Sequence, residues 1–307
     1  MSRHIYNKKI YYLKMITNKK IDKTSFKIAK NKSITYWFTE SNRNINEKDF
    51  ETNVALPNGS TDYFELMPML NEEKNAPRFV NLYCSASNSG KSYQVAQLVK
   101  KYLSEYPKNN VIYISANPLE NDESYNDIKE QIIEIDPMAI RTPLVHNDFQ
   151  HCLIVMDDTD SGVSSSDYTI LDPSFTPDVV AKMTRKEINL MNRELNDIAE
   201  LCSNNINRSI LNMLSNGRKN FISVAHIQHN FKGYYFSKLL AESNIVLFPA
   251  SVNKSAMTEF LKEKIGLSKE QIKKILSIPF YKYDYLYISH LTSPMFYVTP
   301  TTISILE

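Results

Sequence analysis

The stretch that decides the fold is Arg78-Phe-Val-Asn-Leu-Tyr-Cys-Ser-Ala-Ser-Asn-Ser-Gly-Lys-Ser92. Its first half is an apolar run of strand length. Its second half is small and polar and closes on Gly90-Lys91-Ser92. A buried strand, a tight loop and Gly-Lys-Ser at the start of a helix form the order that cradles phosphate. Backbone N–H groups surround the anion, the lysine reaches the β and γ oxygens, and the serine hydroxyl becomes a ligand of the nucleotide's Mg²⁺. On this reading Ser85, Ala86, Ser87, Asn88, Ser89, Gly90, Lys91, Ser92 and Tyr93 hold ATP, and Ser92 also serves the metal. The pattern G-x-x-x-x-G-K-[ST] is met except at its first glycine, where this chain carries Ser85. That glycine serves backbone conformation and close approach, not chemistry. If Ser85 has to adopt positive φ, the strain is on the order of 1 kcal/mol, and Lys91 and Ser92 remain.

Outward from the loop the pattern is α/β. Between Lys91 and Ser104, Val95, Leu98, Val99 and Tyr102 recur at helical spacing. Val111–Ser115 is a short strand-like run, and Cys152–Met156 is fully apolar, as a strand covered on both faces must be. Phe221–His226 and Ile245–Phe248 read as further strands. Helices are expected over Ser124–Ile135, about Pro177–Ser203, Ile206–Ser215 with Gly217 as its cap, Ser255–Ile265 and Ser268–Ile278. The residues Tyr285–Val298 read as two aromatic-rich strands around Thr292-Ser293-Pro294, a terminal hairpin. Strands separated by helices imply βαβ units and a mainly parallel central sheet flanked by helices. The domain boundary is placed near Ala76-Pro77, giving an extension over 1–77 and the main domain over 78–307.

The 307 residues are 42% apolar and 23% charged, enough to bury a real core. No apolar run reaches about 18 residues, so no membrane span is expected. Cys84, Cys152 and Cys202 stand alone with no C-x-x-C spacing, which fits reduced thiols and argues against a zinc site. Charge is unevenly placed. Residues 1–50 hold 12 Lys and Arg against 4 Asp and Glu, and the remainder holds 24 against 30, so an arm of +8 precedes a body of −6. Such an arm suits a polyanion such as nucleic acid, or is simply a solvated tail. Its aromatic patch, Tyr36-Trp37-Phe38, either packs on the body or stacks on bases.

Two more motifs align with the loop. Leu153-Ile-Val-Met-Asp-Asp158 ends an apolar strand in two carboxylates. Asp157 would hold Mg²⁺ through its water shell, and Asp158 would act as general base on the attacking water. Gln228 lies just beyond the strand Phe221–Ile227, where its amide could orient that water. His226 and His229 flank it and read as structural or exposed groups, since no third ligand is spaced for a metal. Arg218-Lys219 precedes the same strand; Arg218 is either an arginine finger, in cis or across a subunit boundary, or a cation complementing a helix C-terminus.

The order Gly-Lys-Ser, strand with Asp-Asp, helical stretch, then Asn216-Gly-Arg-Lys-Asn-Phe-Ile-Ser-Val-Ala-His-Ile-Gln228 resembles the genome-packaging ATPases of large DNA viruses and virophages, the poxvirus-type branch of the FtsK–HerA superfamily. The resemblance covers roughly residues 78–300. It implies a P-loop NTPase of the additional-strand (ASCE) type and Mg²⁺-dependent ATP hydrolysis. It further implies a homo-oligomeric ring that drives double-stranded DNA into a capsid through a capsid or portal-vertex protein, in the virion or the host cytoplasm. This chain departs from the family pattern at Ser85, and at Arg218-Lys219 where the family pairs a basic residue with His. Outside that family, the residues allow another P-loop NTPase of helicase type, or a nucleotide-binding scaffold of a virion or replication complex. A small-substrate kinase fits less well, because residues 159–178 carry no Arg or Lys for a lid.

Overall fold

The computed structural model describes residues 13–17, 26–32, 34–41, 53–57, 60–67, 78–157, 159, 168–229, 234–290 and 295–306. In chain order these contain β1 (Leu13–Thr17), β2 (Phe26–Asn31), β3 (Ile34–Ser41), β4 (Asn53–Ala55) and β5 (Glu65–Leu66). There follow β6 (Val80–Cys84), α1 (Lys91–Glu105), β7 (Asn110–Ser115), β8 (Ile132–Ile135) and β9 (Cys152–Asp157). After α2 (Pro177–Val180) and the long α3 (Arg185–Asn216) come β10 (Ile222–Gln228), α4 (Tyr234–Glu242) and β11 (Asn244–Leu247). The chain closes with α5 (Lys254–Glu263), α6 (Lys269–Leu276), β12 (Leu286–Ser289), β13 (Met295–Val298) and β14 (Thr302–Leu306).

A ten-stranded sheet runs in the order β4-β14-β13-β12-β11-β6-β10-β9-β7-β8. From β11 to β8 every pairing is parallel, and from β4 to β11 every pairing is antiparallel. The parallel strands are covered on both faces, which is why β6, β9 and β10 are buried at every position. One face packs against α3, α4, α5 and α6 through residues such as Ile206, Met213, Leu239, Phe260 and Ile275. The other packs against α1 through Val95, Leu98, Val99 and Tyr102. β10 lies between β6 and β9, the additional strand of the ASCE arrangement. The fold is that of a P-loop NTPase, and the C-terminal strands β12 and β13 pair antiparallel as a hairpin does.

The segment before residue 78 builds structure of its own. β1, β3, β2 and β5 form a small antiparallel sheet, and β4 pairs with β14 at the edge of the main sheet. Ile16, Ala29 and Phe64 are buried in the same core as α1 and β13. Within the aromatic patch, Trp37 is buried and Tyr36 meets Phe64 edge-on with centroids 5.2 Å apart. The expected boundary at Ala76-Pro77 and the expected hairpin tip Thr292–Pro294 lie outside the described residues.

Three elements differ from the sequence reading. Ser124–Ile135 is not a helix: two 3₁₀ turns lead into β8, which pairs parallel with β7. Its isoleucines fit a helical stripe, but β-branched side chains at 132, 133 and 135 suit the open edge of β7 better. The two helices expected over Pro177–Ser215 are instead α2 and the single 32-residue α3. Asn204-Asn205 does not break α3, because the buried Asn205 amide donates to the carbonyl of Ile140 at 3.2 Å. Gly217 is the C-cap of α3, as expected, with an ordinary φ of −63°, and the left-handed residue that follows is Phe221 (φ 58°). Helix α4 carried no expectation from sequence.

Candidate active site

The parallel strands all point their C-terminal ends at one crevice, where such sheets bind ligands. Cys84 and Gln228 face each other in register, and Met156 faces His226, so the ends of β6, β10 and β9 lie nearly level. The phosphate-type loop rises from β6 and turns into α1. Its tight geometry falls on Asn88 (φ 59°) and Gly90 (φ 99°), while Ser85 has an ordinary backbone. Asparagine tolerates the left-handed region better than most residues, and glycine enters it freely. A Cβ on Gly90 would also sit 3.2 Å from the ring of Tyr283. Ser85 is fully buried; its hydroxyl bonds that of Ser251, and its N–H donates to the carbonyl of Gln228 at 3.2 Å. The missing first glycine therefore costs the loop no backbone strain.

No side chain caps the N-terminus of α1, and no acidic residue sits in its first turn. The N–H groups of its first turn and its dipole thus favour an anion. Lys91 is 4% exposed; its ammonium donates to the carbonyls of Ser85 at 2.9 Å and Ala86 at 2.8 Å. It also lies 3.3 Å from His229 Nδ1, which is 3.3 Å from the Ser87 hydroxyl. The Ser89 hydroxyl is buried with no partner among the described residues, a donor that a phosphate oxygen would satisfy.

Asp157 closes the other side. Its Oδ2 accepts from the hydroxyls of Ser92 and Tyr113, each at 3.5 Å. Side chains alternate along a strand, so Asp157 falls on the α1 face and its neighbour Met156 on the α3 face. Two hard oxygens, a serine hydroxyl and a carboxylate, facing one point beside a phosphate loop fit Mg²⁺, which takes most of its remaining ligands from nucleotide and water. Asp158 lies outside the described residues.

Gln228 is brought to the loop by its backbone. Its register with Cys84 puts its side chain on the α3 face, where it is 5% exposed and Oε1 has no partner among the described residues. Arg218 is not brought to this site. It precedes β10, whose seven residues at roughly 3.3 Å each put about 20 Å between its ends. There it is exposed beside Arg78, whose pKa is lowered to about 10 by burial and by Arg218. The cation that satisfies the C-terminal carbonyls of α3 is Arg78, donating to Met213 at 3.0 Å and to Leu214.

The cleft measures about 620 Å³ and is lined by the loop, Asp157 and His229, together with Asp122, Ser124, Lys282 and Tyr283. His229 was readable in sequence only as a residue after a strand end. Tyr113, Asp122, Lys282 and Tyr283 gave no signal, because they come from loops and strands far apart in the chain.

No protein-family model matches the chain, and no curated protein matches it. Among solved structures it is similar to B204, the DNA-packaging ATPase from Sulfolobus turreted icosahedral virus, at 11% identity with a TM-score of 0.42. That match covers 72% of this chain and 97% of the other. It is similar also to the genome packaging NTPase B204 from Sulfolobus turreted icosahedral virus 2 in complex with AMPPCP, at 12% identity and a TM-score of 0.41, over 73% of this chain and 98% of that one.

Proposed function

We propose that the chain hydrolyses ATP with Mg²⁺ at this cleft and, assembled as a ring, drives double-stranded DNA into a capsid. The observation that carries the hydrolytic part is the convergence of Lys91, Ser92 and Asp157 at the mouth of a sheet whose additional strand delivers Gln228 and His229 beside the loop. The DNA-packaging part rests on the motif order Gly-Lys-Ser, Asp-Asp, Arg218, Gln228 and its resemblance to viral packaging ATPases. A capsid or portal-vertex protein as partner, and a place in the virion or host cytoplasm, follow from the same resemblance.

Phosphoryl transfer asks a protein mainly for positioning and charge stabilisation. Lys91 supplies fixed positive charge at the β and γ oxygens, with the N–H groups of α1 beside it. Ser92 and Asp157 would hold Mg²⁺, which when bound neutralises charge across the β- and γ-phosphates. Asp158 takes the proton of the attacking water, and Gln228 orients that water after its amide swings over the strand end. Arg218 acts on the site of a neighbouring subunit, since it is a strand's length from its own. A nucleotide-binding scaffold is the other reading the sequence allows, on the strength of Ser85. The ordinary backbone of Ser85 takes away that support.

The test is ATP turnover with and without double-stranded DNA, measured for the wild-type chain and for Lys91→Ala. Turnover stimulated by DNA and lowered by roughly 100-fold or more in the variant is expected. Turnover unchanged in Lys91→Ala would sink the reading.

A further inference from the structure

Beside the phosphate cleft lies a second one of about 310 Å³ that the chemistry above leaves unused. The two share Tyr93 and Tyr283 in their walls, so they lie side by side at the N-terminal end of α1. We propose that the second cleft takes the base and ribose of a purine nucleoside triphosphate, the base stacking on Tyr283 and Tyr93 with Tyr63 as the outer wall. The inference rests on the phosphate reading of the loop and names what lies at the other end of that ligand.

Three large rings stand exposed around this one opening: Tyr63 at 58%, Tyr93 at 55% and Tyr283 at 54%. An isolated exposed ring needs no explanation, but three converging beside a phosphate loop make a stacking platform. Tyr93 sits in the first turn of α1, two residues past Lys91, at the correct end of the cleft for a ligand whose phosphates lie on the loop. Tyr283 has φ 75°, a conformation that bulky side chains avoid. The turn that holds it is tied by the N–H of Tyr281 donating to Asp284 Oδ2 at 2.8 Å and that of Asp284 donating to the Tyr281 carbonyl at 3.0 Å. Strain of this kind persists where surrounding structure over-determines it, often to aim a side chain at a ligand.

The polar groups suit a purine. Gln94 and Gln97 offer amides from α1, the group that pairs bidentately with N6 and N7 of adenine. Farther along the cleft, Lys101 and Glu65 form an ion pair at 2.9 Å. A two-ring base also presents the larger face to the tyrosines. The wall is preformed: the Phe64 N–H donates to the Pro300 carbonyl at 2.7 Å, and the Tyr285 hydroxyl donates to the Phe64 carbonyl at 2.6 Å. The segment before residue 78 thereby supplies one side of the site.

Calorimetric titration of the full chain with MgATP, MgCTP and inorganic tripolyphosphate tests this, using Tyr93→Ala, Tyr283→Ala, Tyr283→Phe and Lys91→Ala. Each alanine variant is expected to bind ATP about tenfold more weakly and tripolyphosphate as well as wild type does. Tyr283→Phe keeps wild-type affinity, and wild type binds ATP more tightly than CTP. The proposal is overturned if the alanine variants leave ATP affinity unchanged, if ATP and tripolyphosphate weaken together, or if CTP binds as tightly as ATP. Failure of the phosphate reading shows separately: tripolyphosphate then fails to bind wild type, or binds Lys91→Ala equally well, and both readings fall. Unfolding midpoints of the variants within a degree or two of wild type confirm that folded protein is being compared.

Discussion

At the scale of single residues, Ser85 shows how a motif can depart from its pattern without losing its shape. The position is closed to solvent, but its φ is not in the left-handed region, so no glycine is required there. The serine hydroxyl instead joins a chain running through Ser251 to the Phe248 carbonyl, the last link at 2.8 Å. Ser85→Gly, which restores the common pattern, is therefore expected to lower stability by about 1–2 kcal/mol, from a lost buried hydrogen bond and added chain entropy. ATP affinity should not rise. Chemical denaturation beside a nucleotide titration checks both; a variant that is as stable as wild type and binds more tightly would show that the serine is a defect after all.

At the scale of elements, β10 does the most. It separates the loop strand from the Asp157 strand and is buried along its whole length, so its polar residues sit inside the molecule. His226 is among them, 3% exposed, with Nε2 3.3 Å from the Thr159 hydroxyl and Nδ1 without a partner among the described residues. Burial lowers its pKa from 6.5 to about 4, so it is neutral in the folded chain. The unfolded chain binds a proton near pH 6.5 that the folded chain refuses until about pH 4. Stability from this group is thus fully present above pH 6.5 and is lost as pH falls towards 4, by on the order of 3 kcal/mol in total. Unfolding free energies across that window should show the loss, and His226→Gln should lack that share of the slope. A variant with the wild-type slope would mean that His226 is not buried in the neutral form.

At the scale of the whole molecule, the sheet holds Arg218 and the phosphate loop at opposite ends of the same strands. A finger role for Arg218 is therefore possible only between copies of the chain. This gives a complementation experiment. Lys91→Ala subunits carry an intact Arg218, and Arg218→Ala subunits carry an intact loop, so each should be nearly inactive alone. Mixed, they should regain a measurable fraction of DNA-stimulated turnover if, as proposed, Arg218 of one copy serves the loop of another. No recovery in verified mixed assemblies would assign Arg218 a structural role beside Arg78. The N-terminal segment also belongs at this scale: its strand β4 closes the edge of the sheet at β14, and Phe64 sits in the main core.

The half of the fold that carries the candidate site is readable from the residues. The strand-loop-helix at Arg78–Ser104, the fully apolar run Cys152–Met156 before Asp157 and the run Phe221–Ile227 before Gln228 were legible because burial on both faces forces continuous apolar runs. The neighbours of each strand, the place of β10 between β6 and β9, and the contact of Lys91 with His229 rather than with the Gln228 amide come from the packing of distant segments. That packing alone made the end of Ser124–Ile135 an edge strand, β8, since an isoleucine stripe satisfies a helix and an open sheet edge alike until the neighbour is known. It alone gathered Tyr63, Tyr93 and Tyr283, which are separated by up to 220 residues of chain. Local periodicity records which side of an element is buried; it carries no information about what lies on the other side of that contact.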